Sequence, residues 1–207
     1  MTCKILELVP KVDHLHGATL GQNHLSPLLP EFIHSGEEPT IFLLNLSNAV
    51  SVTASYLRST LHWAFVCGQA DVQGKHATGG IEPWAIRPMP LFPVVEGCSA
   101  DVTIDVDDFF HSRGLPLLLI TKRTRSHLKT ARMLGSLDGF LQATLQKLIT
   151  LREATAMQLA EQSSESITVN GWSNRLADLY LLRLVTRKRS GKFWLYSPVA
   201  ESITLWA

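Results

Sequence analysis

The stretch "SNRLADLYLLRLVTRKRSGKFWLYSP", residues 173–198, decides how this chain is read. It opens polar, turns leucine-rich, then alternates basic and aromatic residues around a Ser-Gly. Extended back a few residues, Val169, Trp172, Leu176, Leu179 and Leu182 recur every three or four positions. That spacing predicts a helix over 169–182 with one apolar stripe. Its opposite face carries Asn170, Ser173, Asn174 and Ala177, short side chains that can approach a base edge and hydrogen-bond in either polarity. Arg175 falls on the flank of the stripe. Gly171 near the start is a poor helix former, costing about 1 kcal/mol against alanine. After the helix, two strand-like arms, 184–189 and 192–197, flank Ser190-Gly191, and Gly191 permits the positive φ of a tight hairpin. Arg187, Lys188, Arg189 and Lys192 ring the turn, and a cationic tip suits phosphate oxygens.

Two helices are expected upstream. "FLQATLQKLITL" (140–151) has Phe140, Leu141, Leu145, Leu148 and Ile149 at helical spacing. In "ATAMQLAEQS" (154–163), Thr155 precedes Gln158 by three residues, the pattern of a capping box. It predicts a short helix with Met157, Leu159 and Ala160 inward. Three helices followed by a basic hairpin is the order of a winged helix-turn-helix. The stretch from 154 to 198 resembles winged-helix DNA-binding domains of the MarR/ArsR kind, in which a helix ending "RL..L...gLv.r" leads into the wing. The resemblance is carried by these 45 residues and is taken to extend over about 65. It implies that 169–182 is the recognition helix and that 187–192 forms the wing.

The first half reads differently. "CKILELV" (3–9) predicts a strand, "NHLSPLLPEFIHSGEEP" (23–39) a short helix ending near Gly36, and "TIFLLNL" (40–46) a buried strand. "SVTASYLRSTLHWAF" (51–65) has helical spacing with Thr53 or Ser51 available as N-cap. "CGQADVQGKHATGG" (67–80) is a polar connection, and the four prolines of 81–97 permit only edge-like or extended chain. "DVDDFFHSRG" (105–114) predicts a helix and "LPLLLIT" (115–121) a second apolar strand. Strand, helix, strand in alternation predicts an α/β layer with a mostly parallel sheet. The segment "PTIFLLNLSNAVSVTASYLRSTLHWAF" resembles the strand–loop–helix of STAS-like domains, whose pattern runs "v.lDfsgv..i..Sfl...l". Asn45 stands where that pattern has an acidic residue. The resemblance implies that Ser55 is a phosphosite, and a phosphate there would meet the free N–H groups of a helix start.

Charge divides along the same line. Residues 122–207 carry 13 Lys/Arg against 6 Asp/Glu, whereas 1–121 carry 6 against 12. An acidic half joined to a basic half predicts modules with different partners. The net charge of +1 excludes a generic polyanion binder. Three cysteines, Cys3, Cys67 and Cys98, make no disulfide framework or zinc spacing, which predicts a reducing compartment. With no signal-like start and no run of 18 apolar residues, a cytoplasmic location and no membrane are expected.

Enzyme signatures are weak. "HLH" (14–16) could place two imidazoles on one strand face, but no Cys or acidic partner follows at a metal-like interval, so a polar loop and no metal are expected. "DVTIDVDD" (101–108) lacks the glycine and glutamate of a calcium loop and fits an acidic helix start. No GxGxxG, GxxxxGK[ST] or GxSxG occurs. The five tryptophans are expected in the core or an interface. The reading is therefore an α/β STAS-like domain over 1–121, a basic linker or helix over 122–138, and an α+β winged helix-turn-helix over 139–207. It expects a regulator of double-stranded DNA, without cofactor or catalytic residues, acting as a homodimer. Asn170, Ser173, Asn174 and Arg175 would face bases, and Arg187, Lys188, Arg189 and Lys192 phosphates. The N-terminal half would dimerise, sense a signal or bind a protein partner. A protein-interaction adaptor and a phospho-regulated antagonist are the competing readings.

Overall fold

The computed structural model describes residues 3–34, 38–67 and 90–205. The glycine-rich stretch 68–80, the proline-rich 81–89, Gly36, Trp84 and Trp206 lie outside the described residues. The protein is a mixed α/β structure built on a six-stranded sheet in the order β1-β3-β5-β6-β7-β10. These strands are β1 (Lys4–Leu8), β3 (Thr40–Asn45), β5 (Leu91–Glu96), β6 (Pro116–Arg123), β7 (Leu128–Gly135) and β10 (Ser202–Thr204). Neighbours from β1 to β6 are parallel, β7 runs antiparallel to β6, and β10 lies parallel to β7. The central strands are continuous apolar runs because both faces of the sheet are covered.

One face is covered by helices from the first half. These are α1 (Ala18–Leu25), α2 (Leu29–His34), α3 (Ala54–Leu57, continuing as helix to residue 67) and α4 (Ala100–His111). Phe42, Leu44 and Val95 pack there against Tyr56, Leu61, Val106 and Phe110. Within α3, Arg58–His62 form one widened turn with i→i+5 geometry. Helix α3 begins at Ala54 with Thr53, one of the two expected positions, as its N-cap, and Ser51–Val52 form β4, which pairs with β2 (His14–Leu15). Helix α4 begins earlier, since the Ser99 hydroxyl accepts the Val102 N–H at 3.3 Å. Of its acidic run only Asp101 lies in the first turn. Asp107 instead accepts the Gly135 N–H at 2.6 Å.

The second half covers the other face. It comprises α5 (Gly139–Leu151), α6 (Ala156–Gln162), α7 (Val169–Leu181) and the antiparallel hairpin of β8 (Val185–Ser190) and β9 (Phe193–Pro198). Ile41, Leu43, Phe92, Val94, Leu118 and Ile120 of the sheet share one core with Leu145, Leu159, Trp172, Leu176 and Leu179. Residues 122–138, expected as a linker or helix, hold the end of β6 and all of β7. Leu128, Ala131, Met133 and Leu134 are buried in that segment while Arg132 is exposed, so its charges sit on a strand that the sheet uses. After the hairpin the chain returns to the sheet edge as β10.

Smaller departures have local causes. The capping box forms: Thr155 and Gln158 each accept the other's backbone N–H, at 3.2 and 2.8 Å. It sets the phase of α6 so that Leu159 is buried while Met157, expected inward, is exposed. Val169 is exposed too, because it occupies the first residue of α7, beyond the edge of the core. The hairpin register pairs Ser190 with Phe193, so the two loop residues are Gly191 and Lys192, one position later than expected. Gly191 takes φ 60.

Candidate nucleic-acid interface

Helix α7 starts where the Thr168 hydroxyl accepts the Gly171 N–H at 3.1 Å. Gly171 thus lies in the first turn, where a weak helix former is tolerated. The helix stops in a Schellman arrangement, with Leu184 N–H donating to the Leu179 carbonyl and Arg183 N–H to that of Tyr180, both at 3.0 Å. Arg183 holds the left-handed position, φ 60, which glycine usually occupies. Its side chain is 2% exposed, with the guanidinium over the rings of Phe92 and Tyr180. This turn delivers the chain directly into β8.

Trp172, Leu176, Leu179 and Tyr180 form the buried face of α7, and Asn170, Ser173 and Asn174 are exposed on the outer one. Asp178 continues the Asn170–Asn174 row one turn further and is exposed. Partial burial pushes its carboxyl above the usual range. Arg175 does not join that outer row. Its guanidinium lies over the rings of Phe140 and Trp172, at 5.2 and 5.4 Å, and 3.8 Å from the Glu165 carboxylate.

The hairpin divides its cations between two faces. Arg187 pairs across the ladder with Tyr196, and Arg189 with Trp194. Arg187 sits between the rings of Tyr180 and Trp194, at 4.0 and 4.4 Å, and hydrogen-bonds the Tyr196 side chain. Arg189 lies over the Trp194 ring as well, at 4.0 Å. Lys188 points to the opposite face, 3.4 Å from Glu153. Lys192 is exposed in the loop. Arg189 and Lys192 are thus exposed at or beside the loop, while Arg187 is half-buried between two rings. Arg187→Ala is expected to lower stability by about 1–2 kcal/mol through loss of two cation–π contacts. Arg187→Lys should restore only part, because an ammonium cannot lie flat on two rings. Thermal melts of the two variants check this.

Other polar groups gather elsewhere. Ser55 is exposed in the first turn of α3, with its hydroxyl 3.1 Å from that of Thr53. At the carboxyl ends of the parallel strands, Arg123 donates to Glu96 at 2.7 Å and to Glu7 at 2.8 Å, and Asn45 donates to Glu7 at 2.9 Å. This knot ties β1, β3, β5 and β6 together. The only hint of it in the sequence is a polar residue closing each of several apolar runs. Between the hairpin base and the sheet lies a cavity of about 340 Å³, lined among others by Cys3, Ile5, Arg152, Glu153, Thr186 and Ser197. Among the described residues no cluster of three or more His, Cys, Asp or Glu side chains is assembled, and no helix is long and apolar enough to cross a membrane. Comparison with protein-family models, with curated proteins and with solved structures finds no match for the chain.

Proposed function

We propose that this chain is a DNA-binding regulator whose second half works as a winged helix-turn-helix of the kind its sequence resembles, carried on a STAS-like α/β half. One observation carries the reading. The exposed Asn170, Ser173 and Asn174 lie on a helix that runs straight into a hairpin displaying Arg189 and Lys192 at its tip. The amides and hydroxyl suit base edges and the two cations suit phosphates. Lys188 adds a third cation once its exposed pair with Glu153 exchanges for phosphate, since such surface pairs are weak. The cavity supports a sensing role for the junction: the hairpin base and the sheet line it together, and its volume falls in the range of small-ligand sites. Winged-helix readers commonly bind paired half-sites, which fits a homodimer.

A salt series of binding to random duplex DNA tests the reading. Affinity should fall steeply between low and moderate salt, with each phosphate contact adding about 0.9 to the log–log slope. Arg189→Ala with Lys192→Ala should flatten that slope by about 2. Arg187→Ala should change it less than either tip residue, since Arg187 is half-buried between two rings whereas Arg189 and Lys192 are exposed. No binding at low salt, or a slope unchanged in the double variant, would sink the reading.

Two features favour a protein-interaction adaptor as the second reading. Phe140 is 68% exposed, and Asp178 places a carboxylate in the row meant to face DNA. Under that reading the charge variants leave partner binding unchanged. The phospho-regulated antagonist draws on the exposure of Ser55 at a helix start. Mass spectrometry of protein from its native cells, showing Ser55 unmodified under all growth conditions, would count against it.

A further inference from the structure

We propose that His14 and His16 form a surface site for one divalent transition-metal ion, Zn²⁺ or Cu²⁺, with the Ser51 hydroxyl as a third and weaker donor. The site stands apart from the interface above and does not depend on it. Strand β2 is only two residues long, but it is firmly placed. It pairs with β4 in the register His14 to Ser51 and Leu15 to Val52. The Val50 and Ser51 N–H groups both donate to the Asp13 carbonyl, at 2.7 and 3.3 Å, and Thr53 N–H donates to that of Leu15 at 3.0 Å. Gly17 N–H donates to the Thr53 hydroxyl at 3.1 Å. Leu15 and Val52 are buried beneath. Side chains two apart on an extended segment share a side, so burying Leu15 sends His14 and His16 outward together.

The imidazoles then converge on one atom. His14 Nδ1 lies 2.8 Å from Ser51 Oγ, and His16 Nε2 lies 2.7 Å from the same oxygen. The ring centroids are 5.6 Å apart with the planes tilted by 54°. A hydroxyl has one proton, so it donates to one of these nitrogens and accepts from the N–H of the other. A cation removes that restriction, because both nitrogens then present lone pairs and the hydroxyl oxygen a third. Neutral imidazole is the ligand that Zn²⁺, Cu²⁺ and Ni²⁺ share, and bonds of about 2.0–2.1 Å set neighbouring donors about 3.3 Å apart, so each nitrogen need only draw back from Ser51 Oγ by about half an ångström. Two nitrogens and a hydroxyl leave at least one position to water. The ion would therefore be open to an external ligand, as in zinc sites that keep a labile position.

The test is calorimetric titration of the full, tag-free chain with ZnCl₂, and with CuCl₂ followed by electron paramagnetic resonance. One ion per chain is expected at pH 7.5, with two-nitrogen superhyperfine structure in the copper spectrum. His14→Ala and His16→Ala should each weaken binding about tenfold or more and leave one nitrogen in the spectrum. Ser51→Ala should weaken it only a few-fold. Both histidines are exposed, so the metal-free variants should melt like the parent, and His111→Ala is the control that retains full affinity. Binding that survives in the His14→Ala, His16→Ala double variant would place the ion elsewhere, on the three cysteines for instance, and overturn the proposal. A copper spectrum of the parent with fewer than two nitrogens would do the same.

Discussion

Gly135→Ala is expected to cost at least about 3 kcal/mol, enough to leave a protein of ordinary stability marginal or unfolded. Gly135 closes β7 with φ 75, a conformation that costs a residue bearing a Cβ about 1–2 kcal/mol. The larger part is steric. A Cβ there would fall inside contact distance of the Leu115 carbonyl oxygen and 3.0 Å from the Cβ of Phe110. That carbonyl cannot retreat cheaply, because it accepts the Ser136 N–H at 3.1 Å and its residue donates to Phe110 at 3.1 Å. Gly114→Ala is the matched control: φ is 64, with nothing within 4 Å of the added carbon, so only the backbone term remains. Urea melts of the two variants should differ by about 2 kcal/mol or more. Equal losses would show that packing around Gly135 gives way.

Trp172→Ala should cost about 3–5 kcal/mol, the usual range for emptying a buried aromatic site. Trp172 is completely buried in the core shared by the sheet and the second half. The loss should therefore spread across both. Hydrogen exchange should show the amides of β3 and β5 losing protection along with those of α7, in one transition. A variant that loosens α7 and the hairpin while the sheet stays protected would mean that the halves fold independently. Trp172→Phe should be far milder. It keeps most of the packing and removes an indole N–H that finds no hydrogen-bond partner among the described residues.

Several elements were legible because a single physical signal dominated them. Strands β3 and β6 read as strands since nothing but burial explains "TIFLL" or "LPLLLI". The stripe on α7 and the Thr155–Gln158 cap are local patterns that tertiary packing did not override. What failed is what depends on distant partners. β7 was hidden because Lys129 and Arg132 interrupt its apolar residues, and pairing with β6 and β10 makes it a strand. The division into two modules followed the charge, yet Phe92 of the sheet packs edge-on against Tyr180 of α7. The packing of Arg187 between two rings was hidden too, because sequence shows a charge and not what surrounds it. The meeting of His14, His16 and Ser51 joins residues 35 and 37 apart in the chain, beyond the reach of any local pattern.

The position of β10 also sets a timetable for synthesis. A ribosome that has released the chain through Arg123 has supplied four of the parallel strands, but the face formed by Ile41, Phe92, Val94 and Leu118 still has no cover. That cover and the closing strand are finished only at Thr204. At about 5–20 residues per second, the intervening 81 residues take about 4 to 16 seconds. For that interval the nascent chain carries a broad adhesive surface and an open sheet edge. This protein should therefore depend on holdase chaperones during translation, more than its size alone would suggest.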